Sequence, residues 1–511
     1  MLLNASQPPA PSSADTSPAA LTLPAPLTPD HLERAVAPLD VRIAPEARER
    51  AAACQAFLAG RLDSGEVVYG ASTGFGPLVG YAGRADPAEQ CDNALAHLSC
   101  GQGEDLPVAV VRATLLVRLA SLARGHSAVT PQVLDALAAA LGTGFTPAVP
   151  RLGSVGASGD LVPLAHAVQA LRGRGRAYVE AVAMPAAEAL DRAGLRPLVL
   201  DGRDALALVN GTSLTAAAGG LALARLRRAH ATALRLTALL ADLLGSAPGF
   251  ASAALLDAFG HPDAVRAGAA LRGLLAGTVP TGLRPLQEPY SIRCAPQLLG
   301  AVGASLRHAD EVIGHDLGGV SDNPLCFPEL DEIAHGGNFF GQPVAFAADL
   351  LTLAAVQTGN LAERQLDLLV DPHRNGGLPP MLAREPGRQH AVQGVQIAAT
   401  AILAQMRRTA TPASVQSLPT NGHNQDVVPF GSQAALGALD QADSLRLLHG
   451  SLAVALRQAA HVGARRPTAP ACADLLDRLC DTIPAIDPDR PLDTDVRTAA
   501  DLLDGLGHEL P

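Results

Sequence analysis

The longest apolar patterns of this chain repeat at the spacing of an α-helix and lie mostly in its second half. Apolar side chains recur three and four positions apart, so that they share one face of a helix. The segments that follow this pattern are residues 214–244, 298–316, 343–368, 392–406 and 432–464. Stretches dense in Gly, Pro and Asn separate them, as is typical of loops. The pattern therefore predicts a bundle of long helices.

Shorter helices are predicted in the first half of the chain. They begin after Thr28, a good N-cap before a proline, and continue at residues 44–59, 87–99, 108–124, 131–141 and 161–171. Within 108–124 the apolar residues share one face, and Arg112, Arg118 and Arg124 are predicted to lie away from it. Residues 67–80 and 142–159 are predicted loops because they are rich in glycine and proline. A strand-like pair is predicted only near residues 179–183, so the predicted fold class is all-α.

Three regions follow from these patterns. Residues 1–26 are rich in Pro, Ala and Ser and lack the features of a secretory signal, which predicts a disordered leader. Residues 27–203 are predicted to form a smaller N-terminal domain that carries the candidate chemistry, and residues 204–511 the long-helix bundle. The apolar segment 214–224 is followed by Arg225, Arg227 and Arg228 and is too short to span a membrane. No membrane partner is predicted.

Composition and charge exclude several classes of function. The chain has 511 residues, of which 48% are hydrophobic but only 3% aromatic, so its core must consist of Leu, Ala and Val. Its net charge of −11 argues against nucleic acid as a partner. The seven cysteines are scattered and lack CxxC spacing, which favours a reducing cytoplasm over a disulfide framework or a zinc site. His335, His373 and His390 also lack the spacing of metal ligands, so no metal is predicted.

The chain has no lysine, because all 38 residues counted as Lys or Arg are arginine. It therefore cannot form the lysine Schiff base on which pyridoxal phosphate depends. The triplet Ala157-Ser158-Gly159 offers another electrophile. If the Gly159 nitrogen attacks the Ala157 carbonyl and two waters are lost, one with the Ser158 hydroxyl, a 4-methylidene-imidazol-5-one ring (MIO) results. Glycine permits the close backbone approach that this cyclisation needs.

The triplet lies within a series of specific motifs. Residues 153–166 read GSVGASGDLVPLAH, and the others are 69–76 (YGASTGFG), 147–151 (PAVPR), 205–213 (ALALVNGTS), 287–297 (QEPYSIRCAPQ), 321–324 (SDNP), 335–339 (HGGNF) and 421–426 (NGHNQD). In their order and content, from about residue 67 to about residue 492, they resemble the MIO-containing aromatic amino acid ammonia-lyases and aminomutases. Members of that family act on histidine, phenylalanine or tyrosine.

The resemblance implies an all-α homotetramer whose active sites take residues from more than one chain. It implies that MIO forms at Ser158, that Tyr69 is the base that removes the β-proton, and that Tyr290 assists proton transfer. Helix N-termini that point into the site would stabilise the anion of Tyr69. Arg293 is expected to bind the substrate carboxylate, with help from Asn323. Asn210 is expected to form a hydrogen bond with MIO, although it also suits a helix N-cap. Gln287 and Phe339 are expected to line the pocket.

Two positions bear on the substrate. His97-Leu98 resembles the pair found in tyrosine ammonia-lyases, and an imidazole can form a hydrogen bond with a para-hydroxyl group. Gln425 stands where histidine ammonia-lyases carry a glutamate, which disfavours histidine. The sequence therefore predicts a cytoplasmic enzyme most like the bacterial tyrosine ammonia-lyases. It would convert the small molecule L-tyrosine to trans-4-coumarate and ammonia, with side activity on L-phenylalanine.

Three alternatives remain open from the sequence. A tyrosine or phenylalanine 2,3-aminomutase would return ammonia to the bound intermediate, and no residue separates it from a lyase. A histidine ammonia-lyase is disfavoured by Gln425 and by His97-Leu98. A helical assembly protein without chemistry would be expected to lack the triplet, Tyr69 or Arg293, all of which are present.

Overall fold

The computed structural model describes residues 20–463 and 465–509, and helices are the main regular structure of its first half. They are α1 (Pro29–Arg34), α2 (Pro45–Asp63), α3 (Pro87–Leu98), α4 (Val108–Leu122), α5 (Pro131–Leu141), α6 (Leu161–Leu171), α7 (Ala186–Arg192) and α8 (Asp204–Val209). Prolines open α1, α2, α3 and α5, where the missing N–H costs no helical hydrogen bond. Each predicted helix of this half is confirmed.

The second half is a bundle of long helices, as predicted. Its helices are α9 (Ser213–Leu244), α10 (Ala253–Phe259), α11 (Pro262–Leu274), α12 (Tyr290–Arg293), α13 (Ala295–Gly318), α14 (Gln342–Val370), α15 (Gln393–Arg408), α16 (Gly431–Val462), α17 (Pro470–Thr482) and α18 (Asp493–Leu506). Helices α9, α14 and α16 pack against one another and form the centre of the bundle. The last residue of the predicted segment 432–464 lies outside the described residues.

Short strands are the main feature that the sequence patterns missed. Strand β1 (Leu21–Leu23) pairs in parallel with β2 (Val41–Ile43), and the other pairs are antiparallel. The latter join β3 (Gln102–Asp105) to β5 (Pro150–Leu152), β4 (Thr146–Pro147) to β6 (Arg176–Val179), β6 to β7 (Val182–Pro185), and β8 (Leu325–Phe327) to β9 (Glu332–Ala334). Only the pair β6–β7 was predicted.

These strands correct two predictions. The disordered leader was predicted over residues 1–26, but Leu21 and Leu23 are buried, because β1 pairs with β2 and places both side chains in the main apolar core. Residues 1–19 lie outside the described part of the chain. The predicted loop 142–159 contains β4 and β5, whose strand partners come from elsewhere in the sequence and so leave no local pattern.

Two arginines of α4 also differ from the prediction. Arg112 and Arg118 were expected on a polar face, but each is only 1% exposed. Arg112 donates hydrogen bonds to five backbone carbonyls, those of Ala35, Ala37, Leu141, Thr143 and Phe145. Helical periodicity cannot identify such a residue, because its acceptors lie far away in the sequence. Arg124 follows the last residue of α4 and is partly buried.

One continuous apolar core connects the two halves. It extends from Leu21 to Leu506, and α4 packs directly on α9 within it. The division at residues 203 and 204 therefore stays a prediction. In the described part of the chain, α14 alone is long and apolar enough to cross a membrane, and 72% of its most apolar window is buried. Such burial is typical of a core helix.

Candidate active site

A cavity of about 630 Å³ brings together residues that are far apart in the sequence. The candidate residues that line it are Tyr69, His97, Leu98, Ser158, Gly159, Asn210 and Gln425. They come from the loop after α2, the end of α3, the loop before α6, the end of α8 and the loop before α16. The structure thus joins the triplet, the expected base and the expected substrate-reading pair around one space.

The triplet lies in a tight turn that requires glycine. Gly156 and Gly159 have φ values of +72° and +70°, a region that other residues rarely adopt. Gly159 forms bridges with Ala157 and with Gly211, and a Cβ atom at Gly159 would overlap the backbone of Gly211. The Asp160 N–H donates to the Gly211 carbonyl at 2.8 Å. The turn is therefore held against the segment that precedes α9.

Asp160 anchors the end of this turn in the interior. Its carboxylate is fully buried and accepts hydrogen bonds from Ser154 Oγ at 2.8 Å, Thr215 N at 2.9 Å and Thr215 Oγ1 at 3.0 Å. Burial raises the pKa of Asp160, although these hydrogen bonds act in the opposite direction. The carboxylate therefore fixes the start of α6 and the first turn of α9 relative to each other.

Several helices begin at the turn, whereas the sequence analysis expected helix N-termini at the Tyr69 hydroxyl, and that role stays a prediction. Helix α6 starts at Leu161, directly after Asp160. Before α14, the Gly341 N–H donates to the Gly156 carbonyl at 3.2 Å, and before α16 the Phe430 N–H donates to the Val155 carbonyl at 3.0 Å. Helix N-termini carry partial positive charge. The turn thus lies in a region that favours a developing negative charge.

The surrounding residues fit the MIO ring that the resemblance implies. Asn210 lines the cavity and is 3% exposed, and its Oδ1, an acceptor, has no hydrogen-bond partner among the described residues. A hydrogen bond to the ring carbonyl of MIO would be donated by the other end of this amide, Nδ2. The Gln425 amide donates to Ser158 Oγ at 2.7 Å. The alternative interpretation of Asn210 as a helix N-cap is wrong, because it ends α8 and Thr212 precedes α9.

The Tyr69 hydroxyl is held by its own loop. The oxygen accepts a hydrogen bond from the Gly76 N–H at 2.9 Å, a donor that also stabilises a negative charge on the phenol oxygen. At its backbone, the Tyr69 N–H donates to His335 Nε2 at 3.3 Å. The ring meets Phe75 edge-on, with 6.5 Å between centroids. A base at this position is oriented from both of its ends.

The tautomer of His97 follows from its hydrogen bond. Nδ1 lies 2.8 Å from the carbonyl oxygen of Asn93, and because a carbonyl only accepts, Nδ1 carries the proton. In the neutral ring Nε2 is then an acceptor, and the described residues offer it no partner. The imidazole stacks on Phe75 at 5.8 Å between centroids. The sequence did not reveal the parts played by Phe75 and Asn93, although Phe75 belongs to the YGASTGFG motif.

Other candidates lie outside this cavity. Asn323 shares an adjoining groove with Tyr69 and His335, and its Oδ1 accepts from the Gly336 N–H at 2.8 Å. Phe339, half-buried shortly before α14, lines neither space. The cavity is further lined by residues that the sequence analysis did not assign to the site, among them Cys100, Val162, Leu206, Thr420 and Asn421. Val162, Leu206 and Asn421 stand within the quoted motifs, whereas Cys100 and Thr420 stand outside them.

Gln287, Tyr290 and Arg293 lie far from the triplet of the same chain. Tyr290 is 70% exposed, and the Arg293 guanidinium stacks on its ring at 4.7 Å. The Ser291 carbonyl accepts from Gln365 Nε2 at 2.9 Å. Gln365 lies about 23 residues into α14, which at 1.5 Å per residue is about 35 Å from the helix start beside the triplet.

Comparison with known proteins identifies the family. A model of the aromatic amino acid lyases matches residues 27–481. The chain belongs to the aromatic amino acid lyase family. It is therefore a carbon–nitrogen lyase by family, and the alternative of a helical assembly protein without chemistry is set aside. Within the described residues, no three His, Cys, Asp or Glu side chains lie close enough together to hold a metal, and all seven cysteines are free.

Individual relatives bear different names. A histidine ammonia-lyase of Anaeromyxobacter sp. (strain K) is 39% identical over 92% of this chain and 95% of its own length. The solved tyrosine aminomutase of Streptomyces globisporus has a TM-score of 0.90 at 32% identity, covering 96% of this chain and 97% of that one. Histidine ammonia-lyase from Trypanosoma cruzi has a TM-score of 0.88 at 26% identity, with 96% and 94% covered. These similarities establish the family and its helical fold.

Proposed function

We propose that this chain is a cytoplasmic L-tyrosine ammonia-lyase that releases trans-4-coumarate and ammonia and also acts on L-phenylalanine. The observation that carries the proposal is the state of His97. Its Nδ1 is committed to the Asn93 carbonyl, and its Nε2 is left as an acceptor on a residue that lines the same cavity as Ser158. A para-hydroxyl group is a donor that this nitrogen can bind.

Gln425 supports an uncharged aromatic substrate. Its amide nitrogen lies 2.7 Å from Ser158 Oγ, so the side chain borders the position at which the amino group would react. A glutamate there would place a negative charge beside the substrate and would suit a basic imidazole. The neutral amide offers no such partner for histidine.

We propose that Ala157, Ser158 and Gly159 form MIO, held by Asn210 and Gln425. When formed, MIO supplies an electrophile that captures the substrate amine. Tyr69 removes the β-proton through its hydroxyl oxygen, and the Gly76 N–H stabilises the oxygen while it is anionic. No metal or pyridoxal phosphate takes part in the proposed reaction.

Arg293 is proposed to bind the substrate carboxylate through its planar guanidinium, with Tyr290 assisting proton transfer and Gln287 nearby. Because these residues lie about 35 Å along α14 from the triplet, they would reach it from another chain. Exposed apolar side chains near α12 support such an assembly, since Leu283 and Leu286 have almost no cover in one chain. We propose a homotetramer. Asn323 and Phe339 are proposed to complete the pocket.

Two other functions have specific support. The curated relative from Anaeromyxobacter is named a histidine ammonia-lyase, and the solved structure from Streptomyces globisporus is named a tyrosine aminomutase.

The deciding experiment incubates the purified protein separately with L-tyrosine, L-phenylalanine and L-histidine and identifies the products by chromatography. Fastest formation of 4-coumarate without β-tyrosine supports the proposal. β-Tyrosine would make the enzyme an aminomutase, and urocanate from L-histidine would make it a histidine ammonia-lyase.

A further inference from the structure

Arg118 is a buried cation that the proposed reaction does not use. It lies in α4 and is 1% exposed, and burial lowers its pKa to about 10, so it is charged near neutral pH. Its guanidinium donates to the Ser321 carbonyl at 2.7 Å and to the Ala207 carbonyl. The nearest carboxylate, Asp322, is 3.9 Å away and is bound by both terminal nitrogens of Arg203. Burial of a charge without a close counterion is costly.

The guanidinium packs against Gly211. A Cβ atom at Gly211 would overlap Nη1 of Arg118 and would come within 2.6 Å of the Ser321 carbonyl oxygen. Gly211 is also the residue that contacts the triplet, through its bridge to Gly159 and the hydrogen bond from Asp160 N. Arg118 therefore packs against Gly211, the residue whose backbone lies nearest to the position of a Cβ atom at Gly159.

The partners of Arg118 keep it in place. Ser321 is tied to α4 by the hydrogen bond from its N–H to Ser121 Oγ at 3.1 Å. It is also tied to the start of α9, because Thr212 N donates to Ser321 Oγ at 2.9 Å. Because Ser321 is held from two sides and binds Arg118, it keeps the guanidinium behind Gly211 and so limits movement of Gly211 away from Gly159.

We propose that Arg118 is a positioning residue for MIO formation, because it holds Gly211 against Gly159 and so keeps the Ala157–Gly159 turn closed. In the ring closure, the Gly159 nitrogen forms a bond to the Ala157 carbonyl carbon. The carbonyl oxygen leaves as water with the N–H hydrogens of Gly159 and Ser158. A second water takes the Ser158 hydroxyl and the Ser158 α-hydrogen. The inference rests on the proposed function only in assuming that this ring forms.

The test measures the intact mass of the protein at intervals after synthesis or refolding. Complete ring formation lowers the mass by about 36 Da, the mass of two waters. Arg118→Met removes the guanidinium and leaves an apolar side chain of similar length. Because ring closure depends on close approach of the reacting atoms, the mass loss is expected to slow by about 100-fold. Arg118→Lys, which keeps the charge without the planar group, is expected to slow it less.

The matched control is Arg112→Met. Arg112 lies on the same helix, is equally buried, and donates to five carbonyls of residues that do not line the cavity. The control is expected to lower the melting temperature at least as much as Arg118→Met and yet to lose the 36 Da at the wild-type rate.

Three outcomes would overturn the inference. The first is a folded Arg118→Met protein that loses the mass at the wild-type rate. The second is an Arg112→Met protein that is equally slow, because the effect would then follow general destabilisation. If Arg118→Met does not fold, a wild-type rate in Arg118→Lys decides against the inference. A wild-type protein without the mass loss would instead contradict the MIO proposal itself.

Discussion

The two ends of α14 differ in how completely they are built within one chain. At its start, the Gly341 N–H binds the triplet turn, and buried groups such as Asp160 and Thr215 fix the surroundings. About 23 residues further along, the short helix α12 presents Tyr290 and Arg293, whose guanidinium stacks on the Tyr290 ring. The first end is therefore preorganised by a single chain, whereas the second would acquire its proposed binding role only beside another copy in the proposed homotetramer.

This difference separates two tasks that the enzyme must perform. The proposed formation of MIO needs only groups at the triplet end, since the ring atoms all come from residues 157–159. The proposed binding of the substrate carboxylate by Arg293 needs the α12 end. A single chain would then mature chemically before the complete site exists, and variants at the two ends should fail in different ways.

The largest effect is expected from Ser158→Ala. Without the hydroxyl the second dehydration cannot occur, so the full loss of about 36 Da should be absent and turnover should no longer be measurable.

Arg293→Met is expected to retain the full mass loss while losing most activity. Intact mass and product formation, measured on the same samples, check both expectations. The separation of tasks fails if Arg293→Met also blocks the mass loss.

Tyr69→Phe should have the next largest effect. Removal of a general base lowers kcat by about 10²- to 10⁴-fold, while the mass loss should remain complete.

Co-expression of Tyr69→Phe with Arg293→Met tests whether the two residues of one site come from different chains. If each site takes Tyr69 from one chain and Arg293 from another, random assembly of equal amounts restores about a quarter of the wild-type activity. If both residues served the same site from one chain, the mixed protein would be as inactive as either variant.

The fold was predictable wherever the signal was local. Helix α6 has the predicted bounds, because its apolar spacing and the glycines before it lie within a few residues of one another. Strands β4 and β5 were not predictable, because each has two or three residues and pairs with a distant strand. The burial of Arg118 was not predictable either, because its acceptors at Ala207 and Ser321 are distant in sequence and come close to it only in the folded chain.

The candidate site also has residues that sequence motifs identify and features that only the folded structure reveals. Tyr69, Ser158, Asn210 and Gln425 stand in motifs whose residue types carry the chemistry, and the cavity unites them. The tautomer of His97 depends on the backbone carbonyl of Asn93, and the sequence does not reveal this contact because every residue has such a carbonyl. The separation of α12 from the triplet depends on the length of α14 and on the position along α14 at which α12 packs. Neither is contained in the motif around Tyr290.

His97→Phe tests how the triplet end reads the substrate. The para-hydroxyl group of tyrosine would lose its acceptor, at a cost of about 1–3 kcal/mol, so kcat/KM for L-tyrosine should fall roughly 5- to 150-fold. The value for L-phenylalanine should stay level or rise. His126→Phe is the control, because this histidine contacts Phe327 outside the cavity. Equal losses for both substrates would contradict the proposed role of His97.

The smallest effect is expected from Phe75→Leu, which tests whether the base and the substrate-reading histidine are positioned together. The Phe75 ring contacts Tyr69 edge-on at 6.5 Å and stacks on His97 at 5.8 Å. Aromatic contacts of this kind contribute about 0.5–1.5 kcal/mol, so kcat/KM for L-tyrosine should fall roughly 2- to 12-fold. Because leucine fills much of the volume but leaves the imidazole unsupported, the preference for L-tyrosine over L-phenylalanine should weaken as well.

The matched control for this last variant is Phe327→Leu, since Phe327 packs on His126 at a similar distance, 5.0 Å, away from the cavity. It should change the melting temperature by a comparable amount and leave the substrate preference unchanged. An unchanged preference in Phe75→Leu would mean that Asn93 alone fixes His97 through the 2.8 Å hydrogen bond. The triplet end would then consist of two independently held parts, a base in its loop and a histidine on its helix, rather than one aromatic unit.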